Sequence, residues 1–340
     1  MSGFILLDAG SGGRATHRLI RDIFLRRFRS PALLAGNDAA LLPPSGRRLA
    51  FSTDGHIVHP LFFPGGDIGR LAVCGTVNDV AMLGARPLWL SAAFIIEEGL
   101  EYSVLEAVAE SMTEAARTCG VEIVTGDTKV APQGTCDRLF ITTTGLGEVL
   151  ADPAPAGNRA KPGDAILISG PIGAHGLAVL GARAPLPFLS GIESDCGPVH
   201  HLALALLAAV GGGEGLHVLR DPTRGGLATA VNEIAEQSGV ACLLDEAAIP
   251  VTEAVRNGCA VLGLDPLYLG NEGCLLCFVP EDLAPLALDA LRGQGCALAA
   301  RIGAVLPPGE NMAARVRLAT VLGGERLLPM LEGEPLPRIC

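Results

Sequence analysis

The sequence predicts a two-domain α/β (α+β) protein with an appended tail, and a few observations carry that prediction. Its 340 residues exceed what one ordinary domain needs. Strand-like and helix-like runs alternate through the chain, and the Pro-rich stretch Ala151-Asp152-Pro153-Ala154-Pro155-Ala156-Gly157 interrupts them as a linker. Domains are therefore placed at residues 1–150 and 157–322, with 323–340 a flexible tail. A hydrophobic fraction of 49% supplies sizeable cores, and 18% charged residues are too few for a disordered protein. The net charge of −11 argues against nucleic acid or an anionic membrane as a partner. An anionic small substrate would need a bridging metal ion. No basic region followed by an apolar signal core opens the chain, and the apolar run Leu202 to Val210 is too short to span a bilayer. The expectation is a cytoplasmic protein.

In chain order, Phe4 to Asp8 reads as a short strand, followed by Gly10-Ser11-Gly12-Gly13. A loose G-x-G-x-x-A is a weak dinucleotide signal; a flexible loop whose amides approach phosphates is the better reading, against a simple turn. No G-x-x-x-x-G-K-[ST] motif is present. Acidic residues then punctuate the chain. Asp38 lies in Gly36-Asn37-Asp38-Ala39-Ala40, and Asp54 closes the apolar run ending Phe51-Ser52-Thr53-Asp54. Asp67 is placed as the N-cap of a helix over Ile68 to Leu83 that is nearly all small and apolar, yet contains Asn78-Asp79. Burying that carboxylate costs on the order of several kcal/mol without compensation. A metal ion is one compensating partner; a cap or salt bridge is the other. A helix over Glu101 to Cys119 ends at Gly120, as a C′ glycine should. The strand-like Val121 to Val124 then leads into Thr125-Gly126-Asp127-Thr128-Lys129. Carboxylates at strand ends and loops beside glycines are what magnesium–phosphate chemistry needs. Lys129 and Lys161 stand alone in a chain that otherwise uses arginine, so position 129 calls for a compact ammonium.

The first domain closes on a strand over Leu139 to Val149, and after the linker the second opens on a strand over Asp164 to Ser169 and a Gly-rich turn holding His175. A helix over Pro198 to Val210 begins with His200 and His201, which as neighbours do not share a helix face. Arg220-Asp221-Pro222-Thr223-Arg224-Gly225-Gly226 feeds a helix running to Gly239, offering amides and Arg224 to an anion and Asp221 to a metal. Gly270-Asn271-Glu272-Gly273 is a polar turn before a strand over Cys274 to Val279. The lone Cys274-x-x-Cys277 pair belongs to that strand, and the scattered cysteines read as small buried hydrophobes. A helix over Glu281 to Arg292, a Pro307-Pro308-Gly309 turn and a strand over Ala314 to Leu322 complete the domain. Cys340 is the exception, a thiol on a Gly/Pro-rich tether that would span roughly 55 Å from Gly323 if extended at about 3.3 Å per residue. It is either a frayed end or a group delivered into a site.

Together these blocks resemble the ATP-binding superfamily of aminoimidazole ribonucleotide synthetase, selenophosphate synthetase and thiamine-monophosphate kinase. Within it the chain is similar, over nearly its whole length, to the HypE family of hydrogenase maturation proteins. The Asp54–Asp79, Asp127–Lys129 and Asp221–Gly226 blocks are shared more loosely, and Pro337-Arg338-Ile339-Cys340 is the part specific to HypE. The resemblance implies a PurM-like fold: an N-terminal sheet forming a barrel across a homodimer with ATP nearby, and a C-terminal α/β sandwich domain. It implies a carbamoyl dehydratase. A HypF carbamoyltransferase loads a carboxamide onto Cys340, ATP drives its dehydration to a thiocyanate, and the cyanide passes to iron on a HypC–HypD complex. By the same resemblance Asp38, Asp54, Asp79, Asp127 and Asp221 hold Mg²⁺ against ATP, whose other contacts are Gly10, Gly12, Gly13, Arg224 and Gly225. Lys129 would stabilise the transferring phosphoryl group or assist proton removal. Glu272 and His175 are candidate bases, against structural turn roles. The chain has Ala9, Ala174 and Cys274 where the family pattern has a histidine, an aspartate and a basic residue. Two other readings remain: a small-molecule ATP-dependent ligase or kinase, and a non-catalytic thiol carrier or metal chaperone.

Overall fold

The first half of the chain builds a four-stranded sheet, and its helices leave one face of that sheet bare. The computed structural model describes residues 3–10, 14–34, 40, 42–184, 186–308, 315–332, 336 and 338–340. The strands are β1 (Leu49–His56), β2 (Ala85–Glu97), β3 (Glu122–Ala131) and β4 (Leu139–Val149), in the order β1-β4-β2-β3. All neighbours are antiparallel except β2 and β3, which run parallel. Helices α1 (Ile68–Ala81) and α2 (Tyr102–Cys119) cover one face. Alternation along β4 shows why: Leu139, Ile141 and Thr143 point under the helices, while Phe140, Thr142 and Thr144 face away. The bare face carries Phe51 at 71% exposure and the half-open Trp89, Ile95 and Leu146.

The small residues of α1 let it sit close: a Cβ on Gly69 would lie 2.5 Å from the Val108 carbonyl oxygen of α2. Asp67 caps α1 as predicted, accepting from the amides of Gly69 and Arg70. Gly120 closes α2 in the left-handed conformation at φ 68°.

The second half is a seven-stranded sheet. Its strands are β5 (Asp164–Ile168), β6 (Val218–Arg220), β7 (Ala241–Asp245), β8 (Leu276–Pro280), β9 (Ala300–Leu306), β10 (Val316–Ala319) and β11 (Glu325–Leu327), in the order β11-β10-β7-β9-β5-β8-β6. β5 is buried on both faces: Ile166 and Ile168 meet α5 (Gly226–Ser238), and Ala165 and Leu167 meet α4 (His200–Ala209) and α7 (Ala284–Gly293). Two further helices, α3 (Ala174–Arg183) and α6 (Glu253–Leu262), share the core of the first half. No helix among the described residues is long and apolar enough to cross a membrane.

Several expectations are corrected. Phe4 to Asp8 forms a single bridge from Phe4 to Glu101 and a 3₁₀ turn over Leu7–Gly10, because of Phe4 to Leu7 only Ile5 is buried. β3 does not stop at Val124: parallel pairing with Ser91 to Glu97 carries it through Asp127 and Lys129. Asp54 lies inside β1 rather than at its end. The last helix starts as a 3₁₀ turn over Glu281–Leu283, and within 323–340 the residues Glu325–Leu327 join the sheet as an edge strand. Gly12, Gly13 and Asp38 lie outside the described residues.

Candidate active site

Where the two halves meet, a cleft of about 450 Å³ is lined by Ser52, Asp54, Asp79, Arg220, Asp221, Arg224, Glu272 and Cys340, among others. Ser52 and Asp54 lie on the helix-facing side of β1, because even-numbered residues of that strand turn inward. Asp79, near the end of α1, comes under them, and the Ser52 hydroxyl donates to its Oδ2 at 2.8 Å. Asp221 follows β6 and Glu272 precedes β8, an adjacent strand, so sheet pairing delivers both to one place.

The electrostatics are those of too much negative charge held out of water. Burial pushes the Asp79 carboxyl up, the Ser52 bond opposes it, and the Asp54 charge adds to the rise. Burial, reinforced by Asp79, raises Asp221 to about 7. Glu272 is driven well above the usual range by burial and then by Asp195, Asp221, Asp54 and Asp79. Such groups are compensated by protons or by cations. Among the described residues no group of three or more His, Cys, Asp and Glu side chains is gathered tightly enough to hold a metal alone. Magnesium, for comparison, keeps several waters and takes one or two carboxylates together with substrate phosphates rather than an all-protein cage.

The Glu272 loop is anchored by residues the sequence reading missed. Asp195 accepts from the amides of Glu272 at 3.0 Å and Gly273 at 3.1 Å, and burial raises it to about 6. Asn271 accepts from the Gly173 amide and donates to the Pro222 and Leu269 carbonyls. Asn78 donates to the Gly197 carbonyl and accepts from the Val199 amide, tying α1 to the start of α4. Asp195 precedes a Cys-Gly-Pro turn and looked like any polar turn residue, so nothing local announced it. Arg224 lines the cleft just ahead of α5. Gly225 has φ 75°, and a Cβ there would lie 2.2 Å from Thr229 Oγ1, so the turn that aims this helix end at the cleft admits only glycine.

The other sequence candidates divide. Cys340 reaches the cleft, and none of the ten cysteines is in a disulfide. His175 is buried in α3, with Nδ1 2.8 Å from Ser194 Oγ and Nε2 2.6 Å from the Ile339 carbonyl oxygen. Both ring nitrogens are thus engaged with the tail and its surroundings. Burial lowers the His175 pKa to about 4, against the opposing pull of the Ile339 bond. Asp127 and Lys129 are elsewhere: they pair at 2.9 Å on β3, at the far edge of the sheet from β1. The pair lines a second cleft of about 440 Å³ with Phe24, Phe28 and Phe94, and the Lys129 bond pulls the Asp127 pKa down. Three strand spacings separate the edges, about 14 Å at ~4.8 Å each. Gly10 ends the 3₁₀ turn Leu7–Gly10. Cys274, buried beside Ser169, faces the core.

Comparison with known proteins gives consistent matches. The pattern of the AIR synthase related protein N-terminal domain matches residues 36–149, and that of the C-terminal domain matches residues 161–313. The carbamoyl dehydratase HypE of Cupriavidus necator is 51% identical over 341 residues, covering 100% of this chain and 95% of its own. A crystal structure of hydrogenase maturation protein HypE in complex with ATP superposes with a TM-score of 0.94 at 59% identity, covering 98% of this chain and 99% of its own. A HypE–HypF complex gives 0.79 at 44% identity, over 92% and 99% of the two chains.

Proposed function

The chain belongs to the AIR synthase related family and, within it, to the carbamoyl dehydratases named HypE, and from that premise we propose how its residues dehydrate a carboxamide carried on Cys340. The enzyme binds ATP and acts in hydrogenase maturation. HypF is its partner, supported by the HypE–HypF complex that its fold resembles, and the reading gives HypF the loading of the thiol as a carbamoyltransferase. The observation that carries the residue-level reading is Cys340 in the same cleft as Asp54, Asp79, Asp221 and Glu272.

An amide oxygen is a poor leaving group. Under this reading the carboxamide oxygen attacks the terminal phosphorus of ATP, and ADP departs. Glu272 accepts an N–H proton, for which a carboxylate of raised proton affinity is a stronger base than a solvated one. Cleavage of the C–O bond then expels phosphate, the second N–H proton leaves, and an S-cyanate remains. Asp54, Asp79 and Asp221 are the ligands that would hold Mg²⁺, with Asp38 from the same chain and Asp127 from a partner's β3 edge completing the set; the ion would supply charge neutralisation to the phosphates. Arg224 and the N-terminus of α5 take a phosphate, with Gly225 shaping the turn.

Both β1 and β3 are edge strands of the sheet. Closing two such sheets into one barrel across a two-fold axis pairs β1 of one subunit with β3 of the other. It also covers the bare face around Phe51 and Trp89, and brings the partner's edge carrying Lys129 to the Asp54 edge, where the ammonium stabilises the transferring phosphoryl group. The reading assigns the cyanide to iron on a HypC–HypD complex and the reaction to the cytoplasm.

Intact mass spectrometry of the protein carbamoylated by HypF, before and after Mg-ATP, tests it. The expected result is gain of one carboxamide and then loss of one water, both absent in Cys340→Ala. A carboxamide that persists with ATP present would leave only the thiol-carrier reading.

A further inference from the structure

The described end of the tail lies in a seat cut to its shape. Leu336 and Ile339 are 8% and 9% exposed. Glycines form both hollows: a Cβ on Gly176 would stand 3.2 Å from Leu336 Cδ1, and one on Gly270 3.0 Å from Ile339 Cδ1. The backbone is held as closely. The Ile57 amide donates to the main-chain oxygen of Cys340 at 3.1 Å and the His59 amide to the Arg338 carbonyl at 3.2 Å, so the tail runs beside the end of β1. Arg183 donates to the same Arg338 carbonyl, and Arg338 itself bonds Asp137 at 2.6 Å. Arg338 has φ 59°, a left-handed backbone that a non-glycine residue keeps only when its surroundings over-determine it.

His175 is the innermost of these contacts. Its Nε2 faces the Ile339 carbonyl oxygen, which can only accept, so Nε2 carries the proton and Nδ1 accepts from the Ser194 hydroxyl. Ser194 is fixed in turn, its Oγ accepting from the Cys196 amide and its own amide donating to the Pro64 carbonyl. The next residue, Asp195, holds the Glu272 loop through two amides. The residue that orients the tail's latch and the residue that fixes the base's loop are therefore consecutive.

We propose that His175 is a positioning residue, the latch that seats the loaded tail by the Ile339 carbonyl, and that Ser194-Asp195 ties that seat to the Glu272 loop so that carboxamide and base share one frame. This rests on the dehydratase reading for its purpose, and on the tail contacts alone for its geometry. The test uses the full-length protein. Alkylation of Cys340 by iodoacetamide is followed by the mass of the C-terminal peptide, and water loss by single-turnover intact mass, in wild type, His175→Ala and His175→Gln. Alanine should speed alkylation about tenfold or more, equivalent to about 1.4 kcal/mol, and slow water loss by a similar factor, with ATP affinity unchanged and melting still cooperative. Glutamine, whose amide can still donate to the carbonyl, should recover most of both. Wild-type alkylation in His175→Ala overturns the latch. If no protein loses water, the dehydratase reading fails and alkylation still decides the latch. If His175→Ala does not melt cooperatively, Ser194→Ala must show the same acceleration, and without it the proposal falls.

Discussion

Asp221 shows what a single carboxylate does to the cleft. Its folded pKa of about 7 lies above the unfolded value, so the folded chain binds that proton more tightly. The stabilisation is fully present below about pH 4 and is lost as pH rises through about 7. Asp195, at about 6, acts in the same sense. Ligand-free protein should therefore melt at lower temperature at pH 8 than at pH 5. Asp221→Asn, uncharged throughout, should melt a few degrees above wild type at pH 8, nearly match it at pH 4, and bind Mg-ATP more weakly. Scanning fluorimetry at the two pH values with and without Mg-ATP checks this, and equal melting at pH 8 would show that the charge is not felt. Asp54, Asp79 and Asp221 were legible as candidates because a carboxylate in an apolar or Gly-rich setting stands out. Asp195 and Asn271 were not, since their partners are backbone amides and carbonyls of distant segments.

At the scale of elements, α1 was legible from its cap and its small-residue pattern, and the cap is testable. Asp67 Oδ1 accepts from Gly69 at 2.7 Å and Arg70 at 3.2 Å, while Oδ2 accepts from Ser111 on α2. Asp67→Ala removes the cap and that link together. A cap is worth roughly 0.5–2 kcal/mol, so the variant should melt several degrees lower while ATP affinity holds, because Asp79 lies at the other end of the helix. A larger loss of affinity than of stability would mean that α1 moves as a lever on the cleft. The extent of β3 was not legible: Thr125-Gly126-Asp127-Thr128-Lys129 has no apolar alternation, and its strand geometry comes from parallel pairing with β2. The tail was half legible. Its Gly and Pro residues excluded a helix interior, but its seat is built by Gly176, Gly270 and His175, from segments whose nearness only the fold creates.

For the whole molecule, the decisive geometry is that one subunit holds Asp79, on α1 beneath the β1 edge of the sheet, and Lys129, on the opposite β3 edge, far apart. If the proposed barrel closes β1 on the partner's β3, each complete site takes Asp79 from one chain and Lys129 from the other. Asp79→Asn and Lys129→Ala would then each abolish activity in their own homodimers, where every site lacks one of the two groups. A mixed dimer would place both defects in one site and leave its second site whole. Random exchange makes half the dimers mixed, so about one site in four is restored. Mixing the two inactive variants under conditions that exchange subunits should therefore recover roughly a quarter of wild-type water loss per chain. A control with Phe51→Glu, which puts a charge on the bare face at a position 71% exposed in the single chain, should yield monomers by size exclusion and no recovery. If the mixture stays inactive although exchange is demonstrated by mass, the two groups act within one subunit. The lysine would then need another route to the phosphates, through the cleft it already lines with Phe24 and Phe28.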